Sequence, residues 1–219
     1  PGRVVGQYLT ALGHRRVAYL TAETHAAWST LRMRGLARTV GQHGGTQNAV
    51  REFGICDGAA GDQSLGESQS NAVAMTRTLP RHLRVPSDPF PSLSMTHARF
   101  VQDVNTWVAR VELARRMRPV FERALAWYDA TAWVCAGEAV ALAALEFLHA
   151  EGVAVPGRLS VVGFDDTPPM AAARLSSYSF NAREAVSWQL AALLERRTRS
   201  PETPWYEPQG FVKERNTTA

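Results

Sequence analysis

Two places in this sequence bring together residue types suited to holding a ligand. The first is Leu159–Asp166, LSVVGFDD, an apolar run that ends in adjacent carboxylates. Ligands of open parallel sheets bind beyond the carboxyl ends of the strands. Gly163 lets the backbone leave such a sheet, and a carboxylate placed there can accept hydrogen bonds from hydroxyl or N–H groups. The competing role is local, since Asp166 or Thr167 can cap a helix opened by the first-turn proline Pro168. We assign one aspartate to the cap and the other, Asp165, to the ligand. The second place is Trp28-Ser29-Thr30-Leu31-Arg32, at the start of a helix that follows a strand. Ser29 is a plausible N-cap, and Arg32, one turn in, can project toward the same strand-end cleft. Its guanidinium fork suits carboxylates, phosphates or vicinal hydroxyls. Taken alone, Arg32 reads first as a surface arginine paired with Glu23 or left in solvent.

No other chemistry stands out. The sequence has no GxxxxGK[ST] loop, no GxGxxG after a strand and no GxSxG elbow. The histidines His14, His25, His43, His82, His97 and His149 lack metal-ligand spacing. Asp165 and Asp166 are neighbours whose side chains diverge, so they form no acid/base pair. These spacings predict a binding domain, not an enzyme, with no catalytic residue, metal or cofactor.

The formal net charge is +4, but the cations form only short clusters: Arg15-Arg16, Arg115-Arg116 with Arg118, and Arg196-Arg197. A nucleic-acid surface more often shows a dense stripe on one element, so solvated helix faces are the expectation. Cys56 and Cys135 both lie in apolar segments, where buried reduced thiols are the first reading and a disulfide the lesser one. No apolar stretch approaches the ~20 residues of a membrane helix, and nothing near Pro1 reads as a signal peptide.

The elements that would position these residues follow from periodicity. Arg3–Leu12 has helical spacing with a stop at Gly13, Arg16–Thr21 reads as a buried strand, and Ser29–His43 reads as a helix. Asn48–Cys56 suggests a strand, Ser68–Leu79 a helix, and Pro86, Pro89 and Pro91 a loop. Val101–Trp127 is a long helical pattern that Pro119 should kink or split. Thr131–Ala136 is a strand, Glu138–Gly152 a helix ending at glycine, Leu175–Phe180 a strand, and Tyr206–Lys213 a closing strand. Ala182–Arg197 is amphipathic, with Val186, Leu190, Leu193 and Leu194 expected inward. Such alternation predicts an α/β fold with a parallel sheet flanked by helices.

GQYLTALGHRRVAYLT followed by S-x-x-R-x-x-G (Ser29, Arg32, Gly35) resembles the segment that opens the C-terminal subdomain of LacI/GalR transcription regulators. TAWVCAGEAVALAALEFLHAEGVAVPGRLSVVGFDDTP resembles that family's most recognisable stretch, LSSYSFNAREAV its return crossing, and FVKERNTTA its closing end. The likeness covers Gly6–Gly44 and Thr131–Ala219. It implies the type I periplasmic-binding-protein-like fold, mainly its C-terminal subdomain over residues 1–179. Residues 180–219 would then be the crossing, helix and strand that return to an N-terminal subdomain. It further implies a cytoplasmic sensor whose small polar effector, a sugar by family habit, shifts subdomain orientation in a homodimer. Operator affinity would change through a DNA-binding headpiece outside this chain, with no membrane partner. The other reading is the solute-binding protein of a sugar transporter.

By position in the motifs, Arg32 and Asp165 match the family's effector contacts, and Trp28 and Phe180 fall where rings often face the cleft. Gly137-Glu138 stands where the family usually has Asn-Asp, which removes a polar ligand contact. Phe180 stands where Gln is common, which makes the pocket more apolar. Tyr178-Ser179-Phe180 is closer to a variant fused to GntR-type winged helices. Without its N-terminal subdomain, the helix Ala182–Arg197 is expected to leave an apolar face exposed.

Overall fold

The structure is a computed structural model that describes residues 1–43, 49–55, 95–194 and 208–219. The order of elements is α1 (Gly2–Ala11), β1 (Val17–Thr21), α2 (Ala27–Gln42), β2 (Val50–Gly54), α3 (Met95–Ala126), β3 (Ala132–Cys135), α4 (Glu138–Ala150), β4 (Ser160–Phe164), α5 (Pro168–Ala172), β5 (Ser176–Ser179), α6 (Ala182–Leu194) and β6 (Phe211–Lys213). The strands make one sheet in the order β2-β1-β3-β4-β5-β6, parallel except for the antiparallel pair β5–β6. The α/β class expected from the alternating periods is therefore the observed one.

Alternation along each strand explains the layers. Ala18, Leu20, Trp133, Cys135 and Val161 pack with Met117, Phe121, Leu148 and Met170 of α3, α4 and α5. Their neighbours Val17, Tyr19, Val134, Val162 and Phe164 pack with Val5, Leu9, Leu36 and Val40 of α1 and α2. Strands covered on both faces read as continuous apolar runs, which is why β1, β3 and β4 were legible. Gly13 and Gly152 adopt positive φ after α1 and α4, as helix-ending glycines do.

Of the two outcomes expected at Pro119, a split does not occur: α3 continues through it, with Met117, Val120, Phe121 and Ala124 buried on both sides of the proline. Packing of that face outweighs one lost backbone hydrogen bond. The expectations for Ser68–Leu79, the proline-rich loop and Cys56 lie outside the described residues. Cys135 is a free, fully buried thiol whose ionisation burial opposes. Of the basic clusters, Arg16 pairs with Asp129, Arg115 with Glu112, and Arg118 with Glu122 and Glu151. The exposed Arg115 and Arg118 fit the solvated helix faces the sequence suggested, their acidic partners being an addition, and Arg196-Arg197 lies outside the described residues. No described helix is long and apolar enough to cross a membrane.

The face of α6 is also revised. Val186, Leu190, Leu193 and Leu194 do not point inward but are 56%, 54%, 77% and 78% exposed. This apolar face of the helix is therefore turned to solvent in the described structure.

Candidate ligand-binding site

Chain crossings leave β1 in one direction toward β2 and in the other toward β3, β4 and β5. Such a reversal opens a crevice at the carboxyl ends of the strands. Helix α2 starts over this crevice and carries Arg32 into it. One guanidinium nitrogen donates to the carbonyl of Ala136 at the end of β3. The other lies 3.5 Å from Asp165 Oδ1 at the end of β4. The guanidinium carbon is 4.4 Å from the ring centre of Phe164, 4.8 Å from Trp28 and 5.2 Å from Phe180. Arg32 is thus a spoke joining the ends of β3, β4 and β5 to the start of α2, and the expected pairing with Glu23 is replaced.

Burial gives the site its electrostatic character. The Arg32 side chain is 14% exposed and that of Asp165 is 40% exposed. Three aromatic faces shield the cation from water without accepting in-plane hydrogen bonds, a contact worth ~0.5–2 kcal/mol each according to desolvation. At 3.5 Å the Arg32–Asp165 pair is beyond ordinary hydrogen-bond length. The Asp165 carboxylate keeps part of its surface open to solvent. A hydroxyl can accept from Arg32 and donate to Asp165 at once, while Trp28 and Phe180, 43% and 38% exposed, offer ring faces at the rim.

Four of the five residues singled out in the sequence therefore converge: Arg32, Asp165, Trp28 and Phe180. Ser29 is placed elsewhere. It is fully buried. It does not cap α2, whose N-cap is Ala26 without a side-chain bond. Its hydroxyl donates to Thr21 Oγ1 at 3.1 Å and meets Tyr19 Oη at 3.0 Å. This knot of hydroxyls ties α2 to β1, and burial pushes the Tyr19 phenol up to about 12. Ser29 thus braces the helix that carries Arg32 and presents no surface to solvent.

The capping role for an aspartate is also corrected. Thr167 is the N-cap of α5, with Pro168 in the first turn as expected, and no side chain bonds the helix start. Thr167 Oγ1 donates instead to Glu138. Asp166 turns away from α5 to Arg215 and Lys213, with its side chain 7% exposed. Burial opposes its ionisation, but the hydrogen bonds from Arg215 and Lys213 prevail and hold the carboxyl below its usual range.

The sequence reading missed the Ala136 carbonyl, Phe164 and the Arg215–Lys213 pair. Phe164 carried a signal, since it follows Val162 at period two on the α2 side of β4. Arg215 carried none, because nothing local links it to a residue 49 positions away. Among the described residues no group of three His, Cys, Asp or Glu could hold a metal.

A family profile described as a periplasmic binding protein-like domain matches residues 91–218. The chain belongs to this family. Solved structures similar to this periplasmic-binding-protein-like domain include a PurR family transcriptional regulator from Vibrio parahaemolyticus (16% identity, TM-score 0.57). The Escherichia coli transcriptional repressor ascG (18%, TM-score 0.53) is another. A third is a sugar-binding transcriptional regulator of the LacI family from Escherichia coli, complexed with phosphate (21%, TM-score 0.52). The matches cover 100%, 100% and 99% of this chain but 61%, 61% and 59% of those. The domain therefore spans about three fifths of their length and shares their fold. No curated protein matches it.

Proposed function

We propose that this domain is the ligand-sensing part of a bacterial DNA-binding transcription regulator. Its ligand is a small polar effector of the sugar type. One observation carries this reading: Arg32, enclosed by aromatic rings, faces the exposed carboxylate of Asp165 over the crossing point of a parallel sheet. In this reading vicinal hydroxyls bridge Arg32 and Asp165, and Trp28 or Phe180 stacks on the ring. Residues 1–179 form one half of the cleft. Residues 180–219 carry the crossing to a second subdomain, with β6 back on the sheet. Effector binding then changes subdomain orientation in a cytoplasmic homodimer and so changes operator affinity through a headpiece outside this chain. The fold shared with transcriptional regulators supports this reading.

The family's description also fits a solute-binding protein of a sugar transporter. A helix-turn-helix or winged helix in the same polypeptide decides for the regulator, and an export signal decides for the transporter.

A thermal-shift screen of the protein against sugars, polyols, nucleobases and amino acids tests the sensor reading. A ligand that binds only the folded state stabilises it by about 2.7 kcal/mol at a hundredfold excess over Kd. We expect a sugar or polyol to raise Tm in the native protein and not in Asp165→Ala. A panel without any hit, in a protein that folds normally, counts against it.

A further inference from the structure

The turn out of β4 is unusual in its backbone. Asp165 and Asp166 have φ of 89° and 51°, two consecutive left-handed residues that are not glycine. Aspartate tolerates this region better than most residues, yet such positions are still strained and persist where the surroundings over-determine them.

The surroundings are on the page. The Asp165 N–H donates to the carbonyl of Tyr178 at 2.9 Å, and the Asp166 N–H to Ser177 Oγ at 3.1 Å. The carboxylate of Asp166 takes one bond from Arg215 and one from Lys213, the latter at 2.9 Å. Arg215 is itself held at two further points. Its other terminal nitrogen donates to the carbonyl of Leu175 at 2.6 Å, and its backbone N–H to Ser176 Oγ at 2.9 Å. Asp166 is therefore anchored to residues 213–215, at the end of β6 and just beyond it, and not to its own loop. With that side chain fixed toward β6, the preceding carboxylate faces Arg32 on the opposite side.

We propose that Asp166, clamped by Arg215 and Lys213, is a positioning residue that aims Asp165 at Arg32. This deepens the ligand-site reading and rests on it for its functional meaning. Docking of the segment after β6 then sets the geometry of the candidate ligand carboxylate, on the residue just before Asp166. A clamp that merely fastened the closing segment would leave the backbone of Asp165 unchanged when broken.

The test is NMR on the full chain and its Arg215→Met, Arg215→Lys and Asp166→Asn variants. The readout is the one-bond Cα–Hα coupling of Asp165, which distinguishes positive from negative φ. Asparagine supports the left-handed region as well as aspartate does, so Asp166→Asn removes the charge without removing backbone tolerance. In Arg215→Met and Asp166→Asn the Asp165 coupling should lose its positive-φ value while the resonances of β1 and β3 stay in place. Arg215→Lys should recover part of that value. Should Arg215→Met not fold, Asp166→Asn and Lys213→Met decide. A positive-φ coupling retained at Asp165 in the folded variants overturns the proposal. The coupling is read without ligand, so this result stands apart from any failure of Asp165 to bind an effector.

Discussion

Arg32 is flanked by Trp28, Phe164 and Phe180 and tied to Ala136 and Asp165, so its planar shape matters as much as its charge. A lysine keeps the charge but lacks the planar fork that stacks on rings while holding its donors in fixed directions toward Ala136 and Asp165. Arg32→Lys should therefore weaken the binding of a screened ligand nearly as much as Arg32→Ala, which a titration of both variants checks. Asp166 gives a second expectation at this scale. Its folded carboxyl titrates below the ordinary value of about 3.9, so its pairs with Arg215 and Lys213 stabilise the fold above that pH. That contribution is lost as pH falls through the lower, folded value. Denaturation at a series of pH values should show a smaller acid loss in Asp166→Asn than in the native chain. A parallel acid limb in both would contradict the pairing. The candidate ligand residues were legible because helix and strand periods place them at element ends. The hydroxyl knot of Ser29, Tyr19 and Thr21 was not, because a serine at a helix start looks like a cap whether or not the helix begins one turn earlier.

Helix α2 holds its position through close approach to α1. A Cβ added at Gly2 would lie 1.8 Å from the carbonyl oxygen of Arg32, and one at Gly6 would lie 2.9 Å from Thr39 Cβ. The two helices touch where glycines leave room, and the backbone of Arg32 is part of that contact. Gly2→Ala should therefore force α1 and α2 apart, with an overpacking penalty of about 1–3 kcal/mol. Thermal unfolding should fall by about 2–4 °C per kcal/mol for a chain of this size, and an unchanged Tm would show that the helices slide apart freely. Element types were read correctly where the apolar period was strong, as in β1, α4 and β4. Their boundaries moved by a residue or two, as helix and strand ends do, whereas α3 starts at Met95, six residues before the expected Val101. Pro119 leaves α3 unsplit because the helix is buried on both sides of the proline, and tertiary packing outweighs the local rule for helix interiors.

Among the described residues the molecule is a sheet with helices on both faces, and α6 turns Val186, Leu190, Leu193 and Leu194 to solvent. The exposed leucines of α6 bury nothing comparable to the core residues of α1 to α5. Leu193→Glu with Leu194→Glu should lower self-association of this chain in light scattering without lowering its Tm, since no core contact is lost. A clear drop in Tm would mean that these side chains pack inside the protein. The likeness to regulators was legible in runs such as Leu159–Asp166, where strand, turn and candidate ligand carboxylate follow without a break. The coupling of that turn to Arg215 was not, since an ion pair 49 residues apart leaves no local pattern. The most direct test of the central claim is calorimetric titration of the best screened ligand into the native protein, Arg32→Ala and Asp165→Ala. The account predicts that each variant loses about 1.5–3 kcal/mol of binding, roughly 10- to 150-fold in Kd, as expected for hydrogen bonds to charged groups. Native affinity in both folded variants would contradict it.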